Sequence, residues 1–331
     1  MNKIVEEDLE FITNQTLPWE MLEGKKILIS GIYGFIPSYL AKVMLYLNEH
    51  KFKKKAIVYG IARQTRENVF LKNENLYIWE SDICNITKLY LPKMDYIVHA
   101  AGKSSPKYTK SDILSVVLPN VIGAYNLLEL AKQTNLEGFL FLSSGAVYSN
   151  FDSLDIRSSY AEAKRMGENL CISYMHQYNI PVKIARLFHV YGPNMDLNDG
   201  KMISDFISDI LNKKNICIKS QGTDVRTLCY ISDAISALYT ILLKGKIGSA
   251  YDIGNEDTKT SILDLANLMC KLYPDLSLNA KIVLENNSTL QRGVEVELPD
   301  THDLRTLGWQ PKHLLRAGLI RTIENYLLGS K

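Results

Sequence analysis

The chain has 331 residues, 46% hydrophobic and 22% charged, and a formal net charge of +2. That size allows roughly two domain units with a large core, and the near-neutral charge leaves no footprint for nucleic acid. No apolar run reaches the ~18–20 residues that span a bilayer, and the acidic, amphipathic N-terminus is unlike a secretory signal. The five cysteines are an odd number without a CxxC and read as buried free thiols of a reducing cytoplasm. The six histidines show no HxxxH or HxxE spacing, so no metal is expected.

In chain order, Val5, Leu9 and Ile12 share one helical face within 4–14, a docking arm ahead of the first domain. Short, continuously apolar strands are predicted at 25–31, 55–63, 76–83, 94–102, 137–144 and 182–188, and "KFKKK" (51–55) is read as a solvated loop. Helical patterns follow strand one and fill 110–134 and 160–178. Apolar strands alternating with helices imply an α/β protein with a doubly wound, Rossmann-type parallel sheet covered on both faces. The C-terminal third mixes helices with short strands and reads as a smaller α+β domain. The expected division is an arm (1–24), a dinucleotide-binding domain (25–188, with 225–254 returning to it) and a substrate domain (189–224 and 255–331).

Strand one ends in Gly31-Ile-Tyr-Gly34-Phe35-Ile36-Pro37 and runs into a helix. Glycines at such a turn let backbone approach a pyrophosphate, which then rests on the helix N-terminus. Two glycines there are also compatible with a purely structural turn, and the position on the first strand favours binding. Strand two lacks the acid that holds an unmodified adenosine ribose, and Arg63 stands at its end. Arg63 is either an ordinary solvated arginine or a partner for a 2′-phosphate, which leans the cofactor from NAD toward NADP. Asp82 after strand three is placed to contact adenine or to close a strand-end turn.

Tyr160 and Lys164 are i and i+4 on a predicted helix, hence on one face. A nearby ammonium is expected to lower the phenol from about 10 toward neutrality and make it a usable acid or base. The pair follows "LSSGAVYS" (142–149) at a strand end. With "HAAG" (99–102), "NVIGAYNLLELAK", "RLFHVYGP", "GTDVRTLCYISDA" and "LGWQP", the chain over about residues 25–328 resembles the extended short-chain dehydrogenase/reductases of the NAD-dependent epimerase/dehydratase family. Members of that family modify nucleotide sugars.

The resemblance implies that Tyr160 is the catalytic acid/base, that Lys164 binds the nicotinamide ribose, and that Ser144 bonds the reacting sugar hydroxyl. Gly31, Gly34, Phe35, Ile36, Arg63, Asp82 and Ile83 would hold the adenosine and phosphate end of NAD or NADP. Ala100, Ala101, Gly102, Asn120, Ser143 and Leu187 would line the rest, with Tyr160 and Lys164. Lys103, Ser104, His189, Arg226 and Arg292 would contact the nucleotide sugar. Arg226 suits the diphosphate because guanidinium is a permanently charged planar fork; a structural ion pair is its other reading, as a core histidine is for His189. The helices at 110–134 and 160–178 imply a homodimer.

The chain departs from the pattern at one decisive place. Relatives that eliminate water carry an acidic pair directly after the Ser/Thr, and those that decarboxylate uronic acids carry a glutamate there. Here Gly145 and Ala146 follow Ser144, and neither moves a proton. Hydride transfer and one proton at C4 remain: 4-epimerisation, 4-keto reduction or 4-oxidation, for surface-polysaccharide precursors in the cytoplasm. "MDLNDGKMISDF" (195–206) nevertheless looks most like the decarboxylase branch, and "VYGIAR" resembles GDP-mannose dehydratases. A dehydratase or decarboxylase would need a displaced acid, for which Asp152, Asp155 and Glu162 are candidates. A non-catalytic cofactor-sensing regulator is the remaining alternative. The eleven residues between Tyr148 and Tyr160 are a short loop for this family, and Leu298 stands where a basic residue is common.

Overall fold

The computed structural model describes residues 2–66, 69–70, 72–88, 91–104, 112–152, 154–283 and 298–329. Seven strands form one parallel sheet: β1 (Lys26–Ser30), β2 (Ile57–Ala62), β3 (Leu76–Glu80), β4 (Tyr96–His99), β5 (Gly138–Ser144), β6 (Val182–Leu187) and, late in the chain, the strand Ala250–Ile253. Their order puts Ala250–Ile253 beside β6, then β5, β4, β1, β2 and β3. The order reverses between β1 and β4, the switch point where ligands of such sheets bind beyond the strand carboxyl ends. The central strands β1, β2, β4 and β5 are largely apolar and buried because helices cover both faces, whereas the edge strand β3 is partly exposed.

Helices α1 (Lys3–Thr13) and α2 (Phe35–His50) lie on one face. They join a helix the sequence pattern did not announce, Ile231–Lys244, whose residues from Ile231 to Leu243 are all buried. On α1 the buried set includes Val5, Leu9 and Ile12, as expected of a docking arm, and also Asp8. Asp8 accepts from Tyr230 and pairs with Arg321 at 2.8 Å, tying the arm to the C-terminal helix Leu315–Gly329.

The opposite face carries α3, built of Leu114–Leu118, a π turn Pro119–Gly123 and Ala124–Ala131, and α4 (Ser159–Tyr178). Leu114–Lys132 is long and apolar enough to cross a membrane by length and composition, contrary to the expectation of no such stretch. Two asparagines interrupt this run, which stays apolar on average. Both are buried and bonded within the domain, Asn120 to the Val116 carbonyl and Asn126 to that of Ile83. Among the described residues between β3 and β4 the crossover holds a 3₁₀ segment, Ile83–Lys88.

Beyond β6 come β7 (Val190–Tyr191), α5 (Met202–Leu211), β8 (Ile216–Ile218), β9 (Val225–Arg226) and β10 (Cys229–Tyr230). The helix Ile231–Lys244 is α6 and the returning strand β11. β12 (Thr260–Ser261), α7 (Ile262–Leu272), β13 (Ala280–Ile282), α8 (His302–Thr306) and the C-terminal helix, α9, complete the fold. Three two-stranded pairings, β7–β10, β9–β12 and β8–β13, organise this part. Cys171, Cys229 and Cys270 are buried free thiols, but Cys217 is exposed and Cys84 half-buried, so uniform burial does not hold. Strand alternation on the short β8 points Cys217 away from the buried Ile216 and Ile218.

Candidate active site

A cleft of about 890 Å³ opens over the carboxyl ends of β1, β2 and β4. Gly31, Gly34, Ala100, Ala101 and Gly102 line its floor, and Arg63, Asp82 and Ile83 one end. Gly31 has φ +70°, and a Cβ there would lie 2.9 Å from the Ala101 Cα, so this turn admits only glycine without strain. The adjoining segment is fixed from below. Ser30 Oγ accepts from the Ala100 and Ala101 amides, both at 3.0 Å, and meets His99 Nδ1 at 2.8 Å. His99 Nε2 faces the Pro119 carbonyl at 3.0 Å, which requires Nε2–H and leaves Nδ1 to accept from Ser30. Burial lowers His99 to about 3, so the ring is neutral.

Tyr160, Lys164 and Ser144 meet beside this cleft. Ser144 ends β5, its hydroxyl accepting from the Ala146 amide at 3.2 Å and hydrogen-bonding the Tyr160 phenol. Lys164 lies 5.9 Å from the Tyr160 ring centroid, and its ammonium donates to the Leu142 carbonyl at 2.5 Å. Burial raises the phenol and the Ser144 hydrogen bond lowers it. The ammonium was expected to do the lowering; instead it is turned to Leu142, and burial lowers Lys164 itself to about 7.

The remaining predicted residues divide. Asn120 packs against Gly102, where a Cβ would come within 3.0 Å of its Oδ1, and that buried oxygen has no hydrogen-bond partner among the described residues. Phe35 and Ile36 open α2 and pack against the core, Phe35 edge-on to Tyr39, rather than lining the cleft. Ser143 alternates away from Ser144, so its hydroxyl goes to Glu168 at 2.5 Å. Leu187, at the end of β6, packs against the core. On the substrate side, Ser104 accepts from Lys201 at 3.4 Å and Lys103 pairs with Asp112 at 3.0 Å. His189 has φ +39°, a conformation rare for a side chain of its size, and its imidazole is lowered by desolvation and by the nearby Arg226 and Lys201. Arg226 pairs with Asp224 at 3.3 Å. Arg292 lies outside the described residues.

Sequence reading missed two cations, one on the cleft and one near His189. Arg66 borders the cleft beside Arg63, and Lys201 faces His189 from the start of α5. Only their positive charge near turn glycines could have signalled them.

These residues fit a dinucleotide. The glycine floor leaves no side chain between backbone and ligand, and the unpaired Asn120 oxygen supplies an acceptor next to it. Beside it Ser144, Tyr160 and Lys164 bring together a hydroxyl, a phenol and an amine, groups of the kind that exchange a proton with a substrate.

Residues 27–254 match the model of the NAD dependent epimerase/dehydratase family. UDP-glucuronic acid decarboxylase 3 of Arabidopsis thaliana is 32% identical over 323 residues, covering 92% of this chain and 89% of that protein. Human dTDP-D-glucose 4,6-dehydratase is 28% identical over 335 residues, covering 93% and 92%. Among solved structures, a variant of the Bacillus cereus UDP-glucuronic acid 4-epimerase, with UDP-4-deoxy-4-fluoro-glucuronic acid and NAD, is similar with a TM-score of 0.75 at 26% identity. That likeness spans 92% of this chain and 99% of the epimerase. The chain belongs to the NAD-dependent epimerase/dehydratase family and is an enzyme of the short-chain dehydrogenase/reductase type.

Proposed function

We propose that this enzyme oxidises or reduces C4 of a nucleotide-activated sugar, as a 4-epimerase or as a 4-keto reductase or 4-dehydrogenase. One observation carries the choice. A Cβ built on Gly145 would sit 2.4 Å from Cε1 and 2.6 Å from Cζ of Phe188, a buried ring. The place where relatives hold the first acid of a dehydrating pair is therefore filled, and the next residue, Ala146, carries only a methyl. The displaced acids have other work: Asp152 caps the turn at Leu154, Asp155 pairs with Arg157, and Glu162 pairs with Arg165.

Bound dinucleotide supplies the hydride acceptor or donor. Tyr160 exchanges the proton of the C4 hydroxyl, Ser144 holds that hydroxyl, and Lys164 stands beside the phenol with its amine on the Leu142 carbonyl. Arg226 and Lys201 supply the cations for the diphosphate, with the neutral His189 between them and Lys103 and Ser104 nearby. Arg63 and Arg66, with no acid at the end of β2, support NADP over NAD. An exposed apolar row on α3, of Leu114, Leu118, Ile122 and Tyr125, with Met166 on α4, supports a homodimer through these helices. Cytoplasmic synthesis of surface-polysaccharide precursors is the setting that agrees with this chemistry.

Decarboxylation of a nucleotide uronate is the second reading, favoured by the 32% identity to UDP-glucuronic acid decarboxylase over nearly the whole chain. Incubation with cofactor and a panel of nucleotide sugars, followed by mass spectrometry, separates the two. The proposal expects products of unchanged mass, or differing by two hydrogens, and their loss in Tyr160→Phe. Turnover undiminished in that variant would remove Tyr160 from the chemistry.

A further inference from the structure

We propose that Glu168 is a positioning residue that keeps Lys164 in its ammonium form beside Tyr160, and that Arg186, Tyr148 and Asp252 hold the Glu168 carboxylate in place. This rests on Tyr160 and Lys164 being the proton-handling pair of the proposed function. Tyr160, Lys164 and Glu168 follow one another at i, i+4 and i+8 of α4, so the three share one face.

The carboxylate is clamped from two strands. Glu168 Oε1 accepts from Ser143 on β5 at 2.5 Å and from Arg186 Nε on β6 at 2.9 Å, and its Oε2 accepts from Arg186 Nη2 at 2.6 Å. Arg186 Nη1 reaches the Tyr148 hydroxyl at 2.7 Å, which donates to Asp252 Oδ1 on β11 at 2.9 Å. Asp252 Oδ2 accepts the Asp300 amide at 3.1 Å. Charges therefore alternate from the Lys164 ammonium through Glu168 and Arg186 to Asp252.

The order of signs matters because these groups are poorly hydrated. The Glu168 side chain is 13% exposed and that of Arg186 23%. A buried ammonium without an opposing charge loses its proton. Among the described residues the titratable groups around Lys164 are Tyr160, Glu168 and Cys171 on its own helix and neutral His99 from β4, so Glu168 is the anion that opposes desolvation. Around Glu168 stand Arg186 from β6, the Ser143 hydroxyl from β5, Cys171, and Arg165 and Asn169 on the rim of the same shallow cavity. Arg165 is committed to the Val147 and Ser149 carbonyls and to Glu162, leaving Arg186 as the cation on this carboxylate. A purely structural ion pair would need neither the helical register with Lys164 nor the serine next to Ser144.

The test is Glu168→Gln in the full-length protein, which keeps size and an acceptor for Ser143 but removes the charge. Lys164 is titrated by NMR of lysine-labelled protein without cofactor, its resonance assigned by its disappearance in Lys164→Met. Its titration is expected to fall by about one pH unit. That is the size for a unit charge about one turn away at an effective dielectric near 20, partly offset by Arg186. The alkaline limb of the rate profile moves down with it, and Glu168→Asp restores both. An unchanged Lys164 titration overturns the inference, even where Tyr160→Phe abolishes turnover and the proposed function stands. Conversely, turnover indifferent to Tyr160 sinks the proposed function while the NMR titration still decides this point. Should Glu168→Gln fail to fold, a second variant replaces it: in Arg186→Gln, which removes the cation on Glu168, the Lys164 titration is expected to rise. No change there also overturns the inference.

Discussion

Gly145→Ala puts the steric reason for the missing acid to a direct test. The added methyl would stand 2.4, 2.6 and 2.7 Å from three carbons of the Phe188 ring, closer than real contacts allow. The ring has little freedom to retreat: it is 3% exposed and stacks against Tyr148 with centroids 6.2 Å apart. Overpacking of this kind costs about 1–3 kcal/mol. The gain from a less flexible unfolded chain returns about 0.4–1 kcal/mol. A net loss of about 1–2 kcal/mol is expected, read as a lower urea midpoint at unchanged slope. The same substitution in a Phe188→Leu background should be neutral or stabilising, because the ring that obstructs the methyl is gone. The double-mutant cycle thus yields a coupling of about 1–2 kcal/mol between positions 145 and 188. A Gly145→Ala protein as stable as the parent, or equal costs in both backgrounds, would refute the claim that Phe188 closes this place.

Three further outcomes follow from named residues. Arg63→Gln should weaken NADPH binding about tenfold or more by fluorescence titration and leave NADH nearly unchanged, since only the 2′-phosphate needs the cation; equal loss for both would remove the preference. His99 has its folded value near 3 against an ordinary 6.5, so the stability of its neutral form is full above 6.5 and declines as pH falls toward 3. The slope is about 1.4 kcal/mol per pH unit within that window, and urea unfolding between pH 6 and 5 should lose that slope in His99→Asn. Ile122→Arg with Tyr125→Arg on the exposed row of α3 should shift scattering mass from dimer to monomer with the fold intact, and a parent protein already monomeric would contradict the dimer.

The sheet was legible because a strand buried on both faces reads as a largely apolar run; six of the seven strands were read this way, although β3 is partly exposed and β6 carries Lys183 and Arg186. The seventh, β11, is four residues long, and its Asp252 interrupts the pattern by serving the Arg186–Tyr148 chain. Helix α6 escaped because it is buried all round, so it lacks the polar stripe by which periodicity distinguishes a helix. The Tyr160–Lys164 register was visible as a spacing, and Glu168 continued it in plain view. What the spacing did not carry is the partner: Arg186 lies 18 residues away and is brought to Glu168 only by the pairing of β5 with β6 beneath α4. The Phe188 ring over Gly145 is likewise a contact between neighbouring strand ends. Ser143 and Ser144 looked equivalent in sequence, and strand alternation sends one to Glu168 and the other to Tyr160.

The most direct measurement is the mass of the product formed from a UDP-hexuronic acid and other nucleotide sugars with NAD or NADP, in the parent protein and in Tyr160→Phe. A product of unchanged mass, or one changed by two hydrogens, that disappears in Tyr160→Phe is the expected result. Release of carbon dioxide or water by the parent protein would contradict chemistry confined to C4.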